Sequence, residues 1–326
     1  MILGHDRAVE RFADAWASRK LHHAWLLAGS KGVGKASFAH AAARRVLAEA
    51  AGPQFDLPGI ATDDDHPVVK LVEAGSHPDM RRLERLLNDK DSLNRNIKVD
   101  QIRKLAEFLS LSAALSPWRV IVIDAVDDLE PSGANALLKM LEEPPPNTLF
   151  FLITHAPGRL LPTIRSRCRR LDFQNLDDDA MTSILEREAR DISAAERQRI
   201  VAMSFGSAGR ALAFAELGLA KLEDTALTIL RQGDPTNARR SDLASELGKK
   251  GAGDRYAAFL DLAPALIARE ARRLEGRSRE RALDAYEKAR ELAAIAPRVS
   301  LDPAATVFQI GGYLADVAEP VRPGRP

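Results

Sequence analysis

The chain has 326 residues, 45% hydrophobic and 5% aromatic, so its cores must rest mainly on Leu, Ala, Val and Ile. Its 47 Lys and Arg against 46 Asp and Glu leave a net charge of +1, which excludes a global pull toward nucleic acid or membrane but leaves local basic faces open. The single cysteine, Cys168, excludes an internal disulfide and a cysteine zinc site. A charged N-terminus and the lack of any apolar run of about 18 residues predict a soluble cytoplasmic protein without a membrane span.

In chain order, residues 8–20 carry Val9, Phe12, Ala13 and Trp16 at helical steps. Residues 24–28, Ala-Trp-Leu-Leu-Ala, form a short buried strand, and an Ala-rich helix over 35–51 follows a glycine loop. Residues 52–67 hold three prolines, two glycines and three consecutive aspartates, and read as a loop. The apolar run 68–72 is expected to be the second strand, residues 99–110 a helix, and 120–124 a third strand ending in Asp124. A helix over 134–141 is stopped by Pro144, Pro145 and Pro146. Residues 149–154 are a fourth strand, 159–165 a short helix and 170–173 a fifth strand.

Buried strands alternating with helices predict a mostly parallel sheet covered on both faces. Beyond Asn175 the pattern is helical throughout, with breaks near Gly206, Gly218, Asp234-Pro235 and Gly251–Gly253. The fold class is therefore α/β plus all-α. The domains are expected at 1–173 (α/β), 174–220 (small helical) and 221–318 (second helical), with residues 319–326 a frayed tail.

Gly29-Ser-Lys-Gly32-Val-Gly34-Lys35-Ala36 has the glycine and lysine spacing of a phosphate-binding loop, between a strand and a helix as such a loop requires. In a working loop the residue after the lysine supplies a hydroxyl to magnesium. Here that residue is Ala36, and Ser37 is turned about 100° away on the helix. Asp124 ends a strand where a second acid would sit near the metal. The next residue, Ala125, cannot polarise an attacking water. Asp127 and Asp128 lie beyond the strand end and read as a solvated turn. Two missing groups predict no intrinsic ATP hydrolysis.

Ser166-Arg167-Cys168 follows the short helix. Arg165, Arg167, Arg169 and Arg170 can be read as a basic surface patch. The sharper reading makes Arg167 an arginine finger, a guanidinium that crosses a subunit boundary to stabilise a transferring phosphoryl group. Cys168 reads as a small packing residue, His22 and His23 as packing at the sheet edge, and Arg269–Glu291 as a salt-bridged helix surface.

Five segments occur in the order and spacing of clamp-loader AAA+ subunits of bacterial DNA polymerase III, which the chain resembles: Gly29–Ala36, Val120–Asp124, Lys139-Met-Leu-Glu-Glu-Pro-Pro145, Leu161–Cys168 and Gly206–Arg210. Residues 21–27 and His77-Pro-Asp79 are typical of the same group. The resemblance is dense over residues 1–215 and thin beyond.

It implies a P-loop AAA+ domain, a lid domain and a C-terminal collar domain, in a C-shaped arm of a five-subunit loader. That loader opens the sliding clamp and sets it on primed DNA. Arg167 would act on ATP bound to the adjacent gamma/tau subunit, Thr154 would match a sensor position and Arg210 a lid arginine. The implied partners are the gamma/tau and delta subunits, with the clamp and primer-template DNA met through the complex.

No cofactor is required on this reading, although Lys35 leaves weak ATP, ADP or anion binding open. Residues 52–77 hold no cysteine, so the zinc module of many family members is not expected. The rival readings are an active gamma/tau-type ATPase, a small-molecule P-loop kinase and a purely structural scaffold.

Overall fold

The computed structural model describes residues 2–87, 94, 96–218 and 220–318. The chain divides into two compact units, Met1–Ala180 and Met181–Pro326. The expected tail, residues 319–326, lies outside the described residues.

In the first unit, α1 (Asp6–Ala17) buries Ala8, Phe12 and Ala15, spaced to form one apolar stripe. β1 (Ala24–Gly29) runs into the glycine loop, and α2 (Lys35–Ala51) starts after it. Next comes α3 (Pro67–Glu73), where the apolar run 68–72 predicts a strand. The reason for this difference is local. Pro67 occupies the first helical turn, and the His66 ring accepts a hydrogen bond from the Val68 amide. Val68, Val69 and Val72 then share a buried face packed on α2. In so short a run, apolar period alone does not separate a strand from a buried helix.

The second strand is instead β2 (Met80–Glu84), a charged segment at the sheet edge with Arg81, Arg82 and Glu84 exposed. α4 (Val99–Ser110), β3 (Arg119–Asp124), α5 (Pro131–Glu142) and β4 (Thr148–Thr154) follow. The helix expected over 159–165 is split into a 3-10 turn, Pro157–Arg159, and α6 (Pro162–Ser166), because Pro162 restarts the helix at its own first position. β5 (Arg169–Phe173) completes the sheet.

All strand pairs are parallel and the order is β2-β3-β4-β1-β5. Successive residues alternate between two cores. Trp25, Leu27, Val122, Phe151 and Ile153 pack toward α1, α2 and α3, while Leu26, Ile121, Ile123, Phe150 and Leu152 pack toward α4, α5 and α6. Burial on both faces explains why these strands read as continuous apolar runs. Phe12 centres the first core, its ring 5.3 Å from that of Trp25 and 5.5 Å from that of Phe151. The register brings Gly29 beside Phe173, Asp124 beside Ile153 and Thr154 beside Ala28, which gathers the candidate site at the carboxyl ends of the strands.

α7 (Asp178–Glu188) crosses into the second unit, and the rest of the described chain is helical. α8 (Ala194–Ser204) and α9 (Ala208–Glu216) meet at Phe205 and Gly206, both with positive φ. α10 (Ala220–Gln232), α11 (Ala238–Leu247), α12 (Gly253–Ala271), α13 (Gly276–Val299) and α14 (Pro303–Val317) follow. Val307, Ile310 and Leu314 of α14 are buried together with Ile229, Leu243, Phe259 and Leu266 of its neighbours. Gly311 lets α14 approach α11 closely, since a Cβ there would stand 2.8 Å from that of Arg240.

The run Arg269–Glu291 is not one helix surface. It ends α12, turns and enters α13, and among the described residues its ion pairs are Arg269 with Glu223, Glu270 with Arg231 and Lys288 with Asp284. The turn at residues 272–275 breaks the helical spacing on which the expected ladder depends. Among the described residues, no helix is long and apolar enough to cross a membrane.

Candidate functional site

The glycine loop keeps the backbone shape of a phosphate cradle. A Cβ on Gly29 would lie 2.2 Å from the carbonyl oxygen of Phe173, so only glycine allows β1 and β5 to close there. Gly32 and Gly34 have φ of 79° and 105°, conformations that side chains rarely adopt. His5 is buried against the loop, its Nε2 2.6 Å from the carbonyl of Val33 and its ring edge-on to Phe173. Burial lowers the pKa of this imidazole.

Lys35 is only 2% exposed and turns back on its own loop. Its Nζ donates to the carbonyls of Gly29 at 2.7 Å and Ser30 at 2.5 Å. Burial lowers its pKa to about 8, against the opposing fields of Asp124 and Asp127. Asp124 is itself engaged, with Oδ2 accepting from Arg82 Nη2 at 3.2 Å across the β2–β3 edge.

Thr154 is fully buried. Its hydroxyl donates to Asp127 Oδ1 at 2.7 Å, while Asp127 Oδ2 accepts from the His155 amide at 2.5 Å. Asp127 is therefore not part of a solvated turn. It fastens the end of β4, because a carboxylate beside two unpaired donors is worth more bonded than hydrated. Asp128 is also engaged, in an ion pair with Arg85 at 3.2 Å.

This donor set does not fit a magnesium ion. Ala36 brings no oxygen, and the one carboxylate at the metal position already faces a guanidinium. Among the described residues, no group of three His, Cys, Asp or Glu side chains could hold a metal.

Arg167 caps α6. Its Nη1 donates to the carbonyl of Thr163 at 3.0 Å, and its Nη2 lies 2.7 Å from Glu142 Oε1 at the end of α5. Its side chain keeps 34% of its surface in solvent. Cys168 packs beside the second core, where burial pushes its thiol up to about 12. His22 and His23 stack at 4.4 Å, and His23 Nε2 meets the carbonyl of Leu141. Arg210 lies in the second unit, in the first turn of α9, which Ser207 caps.

The strand ends thus bring together Gly29, Gly32, Gly34, Lys35, Asp124 and Thr154. Four partners escape sequence reasoning: His5, Arg82, Asp127 and Glu142. Each acts across 25 or more residues of chain, as with Glu142 and Arg167, and no local pattern announces such a contact.

A five-stranded parallel sheet in this order, with a glycine loop after β1 and polar residues ending β3 and β4, has the architecture of an AAA+ P-loop domain. A family model described as DNA polymerase III, delta subunit matches residues 4–177, and the chain belongs to that family. DNA polymerase III subunit delta' of Pseudomonas aeruginosa is 35% identical over 188 residues, 57% of this chain and 53% of that protein. The subunit of the same name from Escherichia coli K12 is 32% identical over 204 residues, 63% of this chain and 58% of that protein. DNA polymerase III subunit tau of Bacillus subtilis is 27% identical over 263 residues, 78% of this chain and 44% of that protein. The chain spans about half the length of the curated relatives it matches.

Proposed function

We propose that this chain is a delta'-type subunit of a DNA polymerase III clamp loader that does not hydrolyse ATP itself. It acts in the cytoplasm beside gamma/tau and delta subunits, in a complex that opens the sliding clamp and sets it on primed DNA. Arg167 reaches the ATP of the neighbouring gamma/tau subunit. Its guanidinium stabilises charge on the transferring phosphoryl group, an effect worth about 10³–10⁵ in rate where such arginines are known. Thr154 and Arg210 stand at sensor-like positions. Residues 174–220 supply a lid and residues 221–318 a collar that joins the subunits.

The observation that carries this reading is the contrast between the two sites. At the chain's own loop, Ala36 lacks the hydroxyl, Ala125 lacks a base, and Asp124 and Lys35 are occupied by internal partners. At Arg167 the guanidinium also has internal partners, Thr163 and Glu142, but keeps 34% of its side-chain surface in solvent, against 2% exposure for Lys35. The chain needs no nucleotide of its own, and the loop amides offer at most weak purchase for ATP, ADP or another anion.

The same contrast disfavours an active gamma/tau-type ATPase, despite the identity to a tau subunit. An add-back experiment tests the proposal. Alone with magnesium and ATP, the chain should give no turnover. Added to gamma/tau and delta with clamp and primed DNA, it should raise ATP hydrolysis severalfold. Turnover by the isolated chain, or no response on addition, would defeat the proposal.

A further inference from the structure

The C-terminal end of α5 is acidic. Glu142 and Glu143 close that helix immediately before the three prolines. Carboxylates at a helix C-terminus lie against the negative end of the macrodipole, which costs local stability. Glu142 recovers that cost through Arg167, at 2.7 Å. Both residues stand on a rigid base. Leu137 and Leu141 of α5 and Ile164 of α6 are fully buried in one apolar cluster. The distance between the end of α5 and the cap of α6 is therefore fixed by core packing and does not depend on a mobile loop.

An unrestrained arginine spreads over many rotamers, and holding it in one beforehand removes conformational freedom that would otherwise be lost on meeting its target. Here two acceptors hold it. The Thr163 carbonyl takes Nη1 and the Glu142 carboxylate takes Nη2. A guanidinium has five N–H donors, so three remain beyond these two contacts.

We propose that Glu142 is the positioning residue for Arg167, holding the guanidinium in the conformer that meets the neighbour's nucleotide. The inference rests on the trans-acting role of Arg167. The alternative physical outcome is a latch, in which Glu142 would hold the arginine away from its target.

The test uses the reconstituted loader with clamp and primed DNA, measuring ATP hydrolysis with Glu142→Ala, Glu142→Gln, Arg167→Ala and the double Ala variant. Assembly of each is checked by gel filtration. The expected result is a fall in kcat of about threefold to tenfold for Glu142→Ala, with KM for ATP unchanged, because the pair is partly exposed and nucleotide is bound by the other subunit. Glu142→Gln, whose amide oxygen still accepts, should recover part of the loss. The double variant should equal Arg167→Ala alone, because Glu142 acts only through that arginine. A purely structural glutamate would instead add its loss to that of Arg167→Ala. If Arg167→Ala falls while Glu142→Ala is unchanged or faster, the positioning role is overturned and the trans-acting arginine stands. If Arg167→Ala leaves turnover unchanged, both fall.

Discussion

At the scale of single residues, the charged side chains beside the glycine loop already have internal partners. Lys35, kept where a working loop needs it, spends its ammonium on two carbonyls of the loop it springs from. This has a consequence for stability. Burial lowers the Lys35 pKa from 10.5 to about 8. Between those values the unfolded chain binds more protons than the folded one, so this group makes stability rise with pH across that window. Below about pH 8 both states are protonated and the cost of burying the charge is fully present. Lys35→Met removes the titration. Urea unfolding at pH 8 and pH 10 should show wild type gaining stability relative to the variant as pH rises, and parallel profiles would contradict the assigned environment. The sequence shows the missing hydroxyl at Ala36 and the missing base at Ala125 directly, because these are identities at fixed spacing. It does not show Arg82 against Asp124, or Asp127 under Thr154, because those depend on strand register.

At the scale of elements, the loop between α4 and β3 depends on one side chain. Asp79 is 2% exposed and accepts from the amides of Ala114, Leu115 and Ser116 at 2.6, 2.7 and 2.9 Å. Burial pushes its carboxyl upward, but these three amides outweigh that and hold the pKa below its ordinary value. Asp79→Ala strands three donors and should cost about 3 kcal/mol in denaturant unfolding at neutral pH. A loss under about 1 kcal/mol would show that the loop has other support. The motif His77-Pro-Asp79 is visible in the sequence, yet its work is done 35 residues downstream, at Ala114. The elements show the same division. The helices over 35–51 and 99–110 and the buried strands are legible from long periodic or apolar runs. α3 and β2 are misread because a proline and a histidine cap decide the first, and edge position makes the second polar.

At the scale of the whole molecule, the α/β sheet followed by helices is legible from alternation alone, and the family follows from motif order over the first half of the chain. The second unit carries no motif beyond residues 206–210, so its packing around α14 emerges only in three dimensions. The central claim is a division of labour, in which a chain with a filled nucleotide site serves the site of another subunit. The measurement that tests it most directly is clamp- and DNA-stimulated ATP hydrolysis by the reconstituted loader carrying wild-type chain or Arg167→Ala. The account predicts a loss of about tenfold or more with assembly intact by gel filtration. Unchanged turnover in an intact complex would contradict it and leave the chain a structural arm.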